Sequence, residues 1–150
     1  MTNRDQIIET VNGVFMYADS REWSKCEVCF IDAPTVDYRS FAGTKEKLKS
    51  ADLMKRWSNF LPKFTFTQHF ISNHRVVIAG EKATVFCYGH AIHYLAGAAE
   101  GDLWGVYGTY NFELVRTPAV GGGWKVSAMT FNFTYQDGNK NLPALVSPKK

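Results

Sequence analysis

The sequence is poor in cysteine, has no long apolar run and carries little excess charge. Three cysteines among 150 residues cannot build the disulfide framework of a small secreted domain, so a reducing, cytoplasmic location is expected. No stretch approaches the ~20 apolar residues that cross a bilayer, and the first residues lead into no apolar signal region. We therefore expect a soluble protein with no membrane partner.

Charge limits the partners further. Lysine and arginine number 17 against 14 aspartates and glutamates, which gives a net charge of +3, and the basic residues are scattered. The dense basic pair Lys149-Lys150 is typical of a solvated tail, so no nucleic-acid partner is expected. A chain of this length, without an internal repeat or interior linker, is predicted to form one domain over residues 1–150.

Apolar residues at helical spacing dominate the first part of the chain. Thr2 or Asn3 is predicted to cap a first helix that continues to Ala18. The run Asp19-Ser20-Arg21-Glu22 resembles a capping box and predicts that a second short helix follows. On this interpretation Asp19 is a structural helix cap, which is one of two roles that the sequence leaves open to it.

Further along, the periodicity changes from helix to strand. A first strand is predicted around residues 35–41, and a third helical region over residues 43–62. Four long strands are predicted at 64–78, 82–94, 103–116 and 123–135, joined by a tight turn at 79–81 and a glycine-rich turn at 118–123. Helices followed by an antiparallel meander predict an α+β fold with the helices on one side of a curved sheet. An irregular tail is predicted from residue 137, with residues 142–146 available to lie across a pocket mouth.

Alternation along the middle strands separates two faces. In the second long strand, the side that carries His93 has small residues, and the other side is aromatic or aliphatic. In the third, Thr109 and Asn111 share one side and Tyr110 is on the other. The small and polar sides are predicted to line a cavity, whereas the aromatic sides are too apolar to stay exposed to water. We therefore expect the aromatic face to be buried between the subunits of a homo-oligomer.

His69 is the residue best placed for acid–base chemistry near neutral pH. On its predicted strand it shares a polar side with Thr67, and aromatic residues occupy the other side. Elimination of water needs a base for a carbon-bound proton and an acid for the leaving hydroxyl, and one imidazole can serve as both. A carboxylate on the far ring nitrogen would fix the tautomer. The alternative is that His69 is a buried histidine with a purely structural role.

Three segments carry a resemblance to a known family: Asp19-Ser20-Arg21-Glu22-Trp23, Val36-Asp37-Tyr38-Arg39-Ser40-Phe41 and Thr67-Gln68-His69-Phe70-Ile71. Together they resemble the signature segments of the scytalone dehydratases, which are SnoaL-like proteins of the nuclear transport factor 2-like superfamily. The resemblance covers roughly residues 5–135. It implies a cone-shaped α+β barrel and a cofactor-independent dehydratase (a lyase) that acts on a small hydroxylated cyclic ketone. It also implies a homotrimer with one pocket in each subunit.

The resemblance assigns catalytic roles by position. His69 matches the family's catalytic histidine, and Asp19 matches the carboxylate that orients it. Tyr38 matches a tyrosine that holds the water polarising the substrate carbonyl, and His93 matches a second histidine. The family has another water-holding tyrosine immediately before the aspartate, where this chain has Ala18. The departure implies that the substrate carbonyl is activated less strongly or in a different way.

The resemblance also assigns substrate-binding residues. Thr109 takes the place of a serine, and Asn111 matches an asparagine that forms a hydrogen bond with the substrate. Three residues fall where the family has the apolar wall of the pocket: Phe41, Met129 and Phe131.

Other functions remain open from the sequence. The same fold could support another proton-transfer reaction, such as that of an isomerase, a polyketide cyclase or a dehydrohalogenase. Ketosteroid isomerases use a carboxylate base, so histidine at these strand positions favours elimination over that isomerisation. A non-catalytic module that binds a small ligand is a third possibility, because one fold hosts many functions. The module predicts that Asp19 and His69 lie apart or face solvent.

No metal site or cofactor is predicted. His90 and His93 are three residues apart on a strand, so their side chains face opposite ways and cannot chelate one metal ion. Cys26 and Cys29 have the spacing of a redox or metal motif, but they lie on a predicted amphipathic helix with no second cysteine pair. Packing in the core is therefore the preferred interpretation for both.

Overall fold

The structure, a computed structural model, describes residues 1–118 and 122–147. The helices are α1 (Asn3–Asp19), α2 (Trp23–Val28), α3 (Ser50–Phe60), which continues into a 3-10 turn (Leu61–Lys63), and α4 (Leu142–Val146). The strands are β1 (Phe30–Asp37), β2 (Lys45–Lys47), β3 (Phe66–Ala79), β4 (Lys82–Tyr94), β5 (Leu103–Arg116) and β6 (Trp124–Gly138). The pair Lys149-Lys150 and residues 119–121 of the predicted glycine-rich turn lie outside the described residues.

The six strands form one sheet in the order β2-β1-β6-β5-β4-β3. Neighbouring strands are antiparallel except β1 and β6, which run parallel. The sheet is open, with β2 and β3 at its edges. The N-terminal helix α1 packs against β3 and β6. The predicted α+β class is confirmed, and so are the four long strands, each within three residues of its predicted bounds.

Thr2, one of the two residues predicted to cap helix α1, is its N-cap and forms a capping box with Asp5. The Thr2 hydroxyl accepts a hydrogen bond from the backbone N–H of Asp5, whose carboxylate accepts one from the Thr2 backbone N–H. One face of the helix is buried, and Val11 and Val14 on it are fully inaccessible to solvent. Each such side chain stabilises the fold by about 1.5–3 kcal/mol through removal of apolar surface from water. The helix is therefore fixed firmly enough to position the residue at its end, Asp19.

The second predicted capping box does not form. Helix α1 ends in a Schellman motif, in which the backbone N–H of Arg21 bonds to the carbonyl of Ala18 and that of Glu22 to the carbonyl of Tyr17. Arg21 adopts the left-handed conformation (φ 64°) that glycine usually supplies at this position. Glu22 precedes α2 without a side-chain capping bond, because its carboxylate accepts from the Ser20 hydroxyl instead. Asp19 is thus the last residue of α1 and not the cap of α2.

Two boundaries in the next segment differ from prediction. Strand β1 begins at Phe30 and ends at Asp37, so Phe41 lies in the turn that follows it. Residues 45–47, predicted as helix, form β2, because a turn through Gly43 (φ 77°) folds them back onto β1. The Lys-Glu-Lys sequence of β2 has no apolar alternation from which a strand could be predicted.

Residues 137–147 of the tail are more regular than predicted. Strand β6 runs to Gly138, and the backbone N–H of Asn139 then bonds to the carbonyl of Leu103, which holds the tail against β5. Residues 142–146 form α4, with Leu142 and Val146 buried. They do not line the cavity described below. No helix in the described part of the chain is long and apolar enough to cross a membrane.

Candidate active site

Asp19 and His69 are joined by two hydrogen bonds. The Oδ1 atom of Asp19 lies 2.8 Å from Nδ1 of His69, and its Oδ2 atom accepts from the backbone N–H of the same histidine at 2.7 Å. Because a carboxylate only accepts, the proton of the imidazole is placed on Nδ1. The Nε2 atom is then left with a lone pair. The two side chains are 17% and 11% exposed, so little water competes for these bonds.

Thr67 completes the support of this carboxylate, and sequence reasoning did not assign it a role. Its hydroxyl donates to Oδ1 of Asp19 at 2.9 Å, and the residue is buried. A carboxylate at the C-terminal end of a helix is disfavoured by the helix dipole. The three hydrogen bonds offset that cost and hold Asp19 against β3. Thr67 stands two residues before His69 on the same side of the strand, and this position was the sequence signal that could have assigned it a role.

His93 lies beside His69 on the inner face of the sheet. The register of β3 and β4 pairs Thr67 with His93, and the rings of the two histidines are 6.2 Å apart at their centroids. Nδ1 of His93 donates to the backbone carbonyl of Trp104 at 3.2 Å, so Nε2 is left as an acceptor. Burial, followed by the nearness of His69, lowers the pKa of His93 to about 4. His93 is therefore neutral near pH 7 and can accept a hydrogen bond there.

A cavity of about 290 Å³ opens beside these two histidines, lined by α1, α3 and the inner face of the sheet. Tyr38, Phe41 and Phe131, which the sequence placed at the site, line it together with His69 and His93. Asp19 lies behind His69 and is not among the residues of the wall. The lining is mostly apolar, so hydrogen bonds to a ligand would form with little competition from water.

An ion pair also contributes to the lining. The two terminal guanidinium nitrogens of Arg56 on α3 donate to the two carboxylate oxygens of Glu46 on β2. Both side chains are exposed by a third or more, so the pair adds little to stability.

Three sequence-predicted residues are not brought to the cavity. The register of β4 and β5 pairs Phe86 with Asn111 and Tyr88 with Thr109, which places Thr109 and Asn111 on the outer face of the sheet. There Asn132 donates to the side-chain oxygens of both. Met129 is fully buried on the inner side, but it packs in the core and does not line the cavity. The expectation that Thr109 and Asn111 face the cavity is therefore wrong.

Tyr110 faces the cavity instead, and the sequence reasoning missed it. Cys87 of β4 pairs with Tyr110 in the same register, so both side chains lie on the face that carries His93. Burial raises the pKa of the Tyr110 and Tyr38 hydroxyls, so both are protonated donors at neutral pH. Polarity alone indicated the opposite face, and the pairing of β5 with β4 in the structure decides which side is inside.

The remaining candidate groups lie outside this site. Burial raises the pKa of Cys26 to about 12 and that of Cys29 to about 11, so neither thiol is readily ionised. His90 stacks on Tyr107 at a centroid distance of 4.1 Å, whereas His93 is on the inner face, as expected from their spacing. Within residues 1–118 and 122–147, no group of three or more His, Cys, Asp or Glu side chains is arranged to hold a metal ion.

Fold and site together define a small α+β protein with a histidine–carboxylate pair at an aromatic cavity. Residues 1–130 match the family model described as the SnoaL-like domain. The chain therefore belongs to the family of SnoaL-like domains.

Several solved structures share this fold. The Kfla4162 protein of Kribbella flavida is 28% identical, with a TM-score of 0.86 over 95% of this chain and 97% of that one. A candidate scytalone dehydratase of Novosphingobium aromaticivorans is 18% identical, with a TM-score of 0.75 over 89% and 85%. The hexachlorocyclohexane dehydrochlorinase LinA-type3 of Novosphingobium barchaimii is 16% identical, with a TM-score of 0.70 over 89% and 88%. No curated protein matches the sequence.

Proposed function

We propose that this protein is a cofactor-independent dehydratase that eliminates water from a small hydroxylated cyclic ketone. The observation that carries the proposal is the Asp19–His69 pair, whose free Nε2 atom belongs to a residue of the cavity wall. The hypothesis of a non-catalytic module predicts that Asp19 and His69 lie apart or face solvent. The distance of 2.8 Å between Oδ1 of Asp19 and Nδ1 of His69 counts against it. Structural neighbours named as a dehydratase and as a dehydrochlorinase fit a proton-transfer reaction on this fold.

The chemistry follows from the single lone pair of His69. Nε2 takes the proton from the carbon next to the ketone, and the electrons of that C–H bond move to the carbonyl oxygen as an enolate. The imidazolium then returns the proton to the β-hydroxyl, which leaves as water while the enolate electrons form the C=C bond and restore the carbonyl. Asp19 stabilises the imidazolium between the two steps. The products are a conjugated ketone and water, and His69 returns to its starting state.

Other groups position the substrate in this scheme. The Nε2 acceptor of His93 is available to the hydrogen of the substrate hydroxyl, which would hold the leaving group near His69. Tyr38 donates from the cavity wall toward the carbonyl oxygen, directly or through a water molecule. A cavity of about 290 Å³ is at the lower end of the usual range for small-molecule sites, which suits a compact ring system.

A second candidate is dehydrohalogenation by the same pair. Because Nδ1 of His93 carries the proton, His93 cannot act as the acid toward the cavity, and protonation of a leaving group depends on His69 alone. A halide needs no proton on departure, so the site serves this reaction with His69 as base only. Isomerisation by a carboxylate base is less favoured, because Asp19 is occupied by three hydrogen bonds.

The test is a panel of cyclic β-hydroxyketones and matched β-haloketones, with formation of the conjugated ketone followed by absorbance. Turnover of the hydroxyketones that is lost in His69→Ala supports the dehydratase, and turnover of the haloketones alone supports the second candidate. His74→Ala is the control, because this histidine is on the same strand, outside the cavity, and contacts Asn12. Full activity in His69→Ala would exclude both reactions of the pair.

The proposal includes self-association in a reducing, cytoplasmic setting. On the outer face of the sheet lies a groove whose described lining contains no Asp, Glu, Lys or Arg. Phe70 and Tyr88 in this groove are about half exposed (49% and 51%). A second copy of the chain presents the same uncharged aromatic surface, so two such surfaces can meet without repulsion between like charges. The scytalone dehydratase resemblance favours three copies.

A further inference from the structure

The cavity beside His69 opens to solvent on one side only of its lining. The exposed lining residues are Phe41, Ala42 and Thr44 in the turn after β1, and Arg56 on α3. Other lining residues, such as His93, are almost fully buried. The mouth of the cavity therefore lies between the turn that follows β1 and helix α3.

Glu46 and Arg56 meet at this mouth. The register of β1 and β2 pairs Glu46 with Val36, which also lines the cavity, so both side chains are on the same side of the sheet. One terminal nitrogen of Arg56 donates to Oε1 of Glu46, and the other donates to Oε2 at 3.2 Å. This two-point arrangement is the one in which a guanidinium binds a carboxylate most specifically.

The partner of Arg56 can be exchanged. The side chains of Arg56 and Glu46 are 55% and 36% exposed, so water and salt weaken the attraction between them. Neither side chain has to be buried or moved through the core for the pair to open. A carboxylate that arrives from solution can therefore take the place of Glu46 on the guanidinium.

The inner part of the cavity does not suit a carboxylate. With the proton of each ring placed on Nδ1, the Nε2 atoms of His69 and His93 are both acceptors and cannot donate to an anion. The carboxylate of Asp19 adds negative charge behind His69. A ligand that has both a ring and a carboxylate is therefore expected to direct its carboxylate toward Arg56 and its ring inward.

The segment that contributes β2 and α3 to the mouth has an excess of positive charge. Residues 45–56 include five basic and two acidic side chains, namely Lys45, Lys47, Lys49, Lys55, Arg56, Glu46 and Asp52. Lys45 and Lys47 alternate with Glu46 along β2, so they lie on the opposite side of the strand and contribute charge without contact. This excess attracts an anionic ligand toward the mouth.

We propose that Arg56 exchanges Glu46 for the carboxylate of a ligand and so determines which compounds the cavity takes. The ligand class is a compact cyclic compound with a carboxylate substituent, whose uncharged ring enters the cavity and whose carboxylate stays at the mouth. That this compound is also a hydroxyketone rests on the proposed function, whereas binding of its carboxylate does not.

Direct binding tests the site without any turnover. The probes are 2-naphthoate and 2-naphthamide, which share one ring system and differ in the charge of the substituent, and each is titrated by calorimetry near pH 7. Arg56→Gln is expected to weaken binding of naphthoate about 3- to 10-fold and to change that of naphthamide less than about twofold. Glu46→Gln removes the competing carboxylate and is expected to strengthen naphthoate binding by about the same factor.

Lys55→Gln is the matched control. It removes the same charge from the neighbouring position of α3, where the side chain is exposed and does not line the cavity. Its affinity for naphthoate is expected to stay within about twofold of that of the unsubstituted protein. Arg56→Lys keeps the charge without the two-point geometry and is expected to restore only part of the affinity. Thermal unfolding of each variant ensures that the affinities are read from folded protein.

The outcomes separate this inference from the proposed function. The carboxylate site would be overturned by equal losses for both probes in Arg56→Gln, by an equal loss in Lys55→Gln, or by weaker naphthoate binding in Glu46→Gln. Absence of naphthoate binding from both the unsubstituted protein and Glu46→Gln would overturn it as well. If naphthoate binds as expected and no hydroxyketone or haloketone reacts, the proposed function fails and the site stands. If ketones react and Arg56→Gln leaves naphthoate affinity unchanged, the site fails alone.

Discussion

Asp19 holds His69 by its ring and by its backbone at once. Oδ1 lies 2.8 Å from the ring Nδ1 atom and Oδ2 lies 2.7 Å from the backbone nitrogen, so the carboxylate plane fixes both the imidazole and the strand that carries it. The tautomer and the position of the base therefore depend on a single side chain at the end of α1. Through this double attachment, the end of α1 determines how His69 is placed for proton transfer.

Asp19→Asn is expected to lower kcat by about 10³-fold with little change in the fold. Asp19 accepts from three donors, but an amide has only one acceptor oxygen. The NH₂ group of the asparagine would face one of these donors and could not accept its hydrogen bond. The imidazole then loses the bond that selects its Nδ1–H tautomer. The measurement is kcat on a substrate from the ketone panel, with the exposed Asp32→Asn as control. A kcat within threefold of the unsubstituted protein would contradict the role of Asp19.

Thr67→Val is expected to lower kcat about tenfold and to destabilise the protein by about 1–2 kcal/mol. The hydroxyl donates to Oδ1 of Asp19, and its loss leaves the carboxylate free to rotate away from His69. Thr67→Ser keeps the donor and is expected to retain most of the activity. Thr84→Val, an exposed threonine in β4, makes the same chemical change away from the site. Equal kcat for Thr67→Val and Thr84→Val would show that Thr67 does not position Asp19.

The sequence was sufficient for the pairing of Asp19 with His69, because both residues stand in segments with a family resemblance. It was not sufficient for β5, where alternation separates two faces but does not say which one is inside. Polarity favoured Thr109 and Asn111 as the inner side, whereas the register with β4 turns Tyr110 inward. Strand pairing is a long-range property, so it could not be taken from the residues of β5 alone.

Local patterns failed at two other points for a related reason. The strand at residues 45–47 is charged throughout and exists because it pairs with β1. Arg21 takes a left-handed conformation without the glycine that would have marked the helix end. In both cases contacts with the rest of the fold determine the backbone, and the local sequence carries little of that information.

His93 is expected to make stability depend on pH. Its pKa is about 4 in the folded protein, against about 6.5 in an unfolded chain. Between these values the unfolded chain binds a proton that the folded protein does not. The free energy of unfolding therefore falls as pH is lowered through this interval, by up to about 3 kcal/mol from this residue. Above it, His93 contributes no pH dependence.

Urea denaturation of the unsubstituted protein and His93→Gln across this pH interval measures the effect. The variant is expected to lose less stability on acidification, because glutamine does not titrate. An NMR titration of the His93 ring protons gives a second value and is expected to show a midpoint near 4. Parallel stability curves for the two proteins would show that His93 is not held neutral by burial.

The outer groove predicts self-association that charge can disrupt. Light scattering at micromolar concentration is expected to give a multiple of the 16.9 kDa chain mass, with three copies favoured. Tyr88→Lys combined with Phe70→Lys places two charges per copy in an uncharged surface and is expected to yield monomers. Met16→Lys is the control, because Met16 is an exposed apolar residue on α1. A monomeric mass for the unsubstituted protein, or an unchanged mass for the double variant, would contradict association through this face.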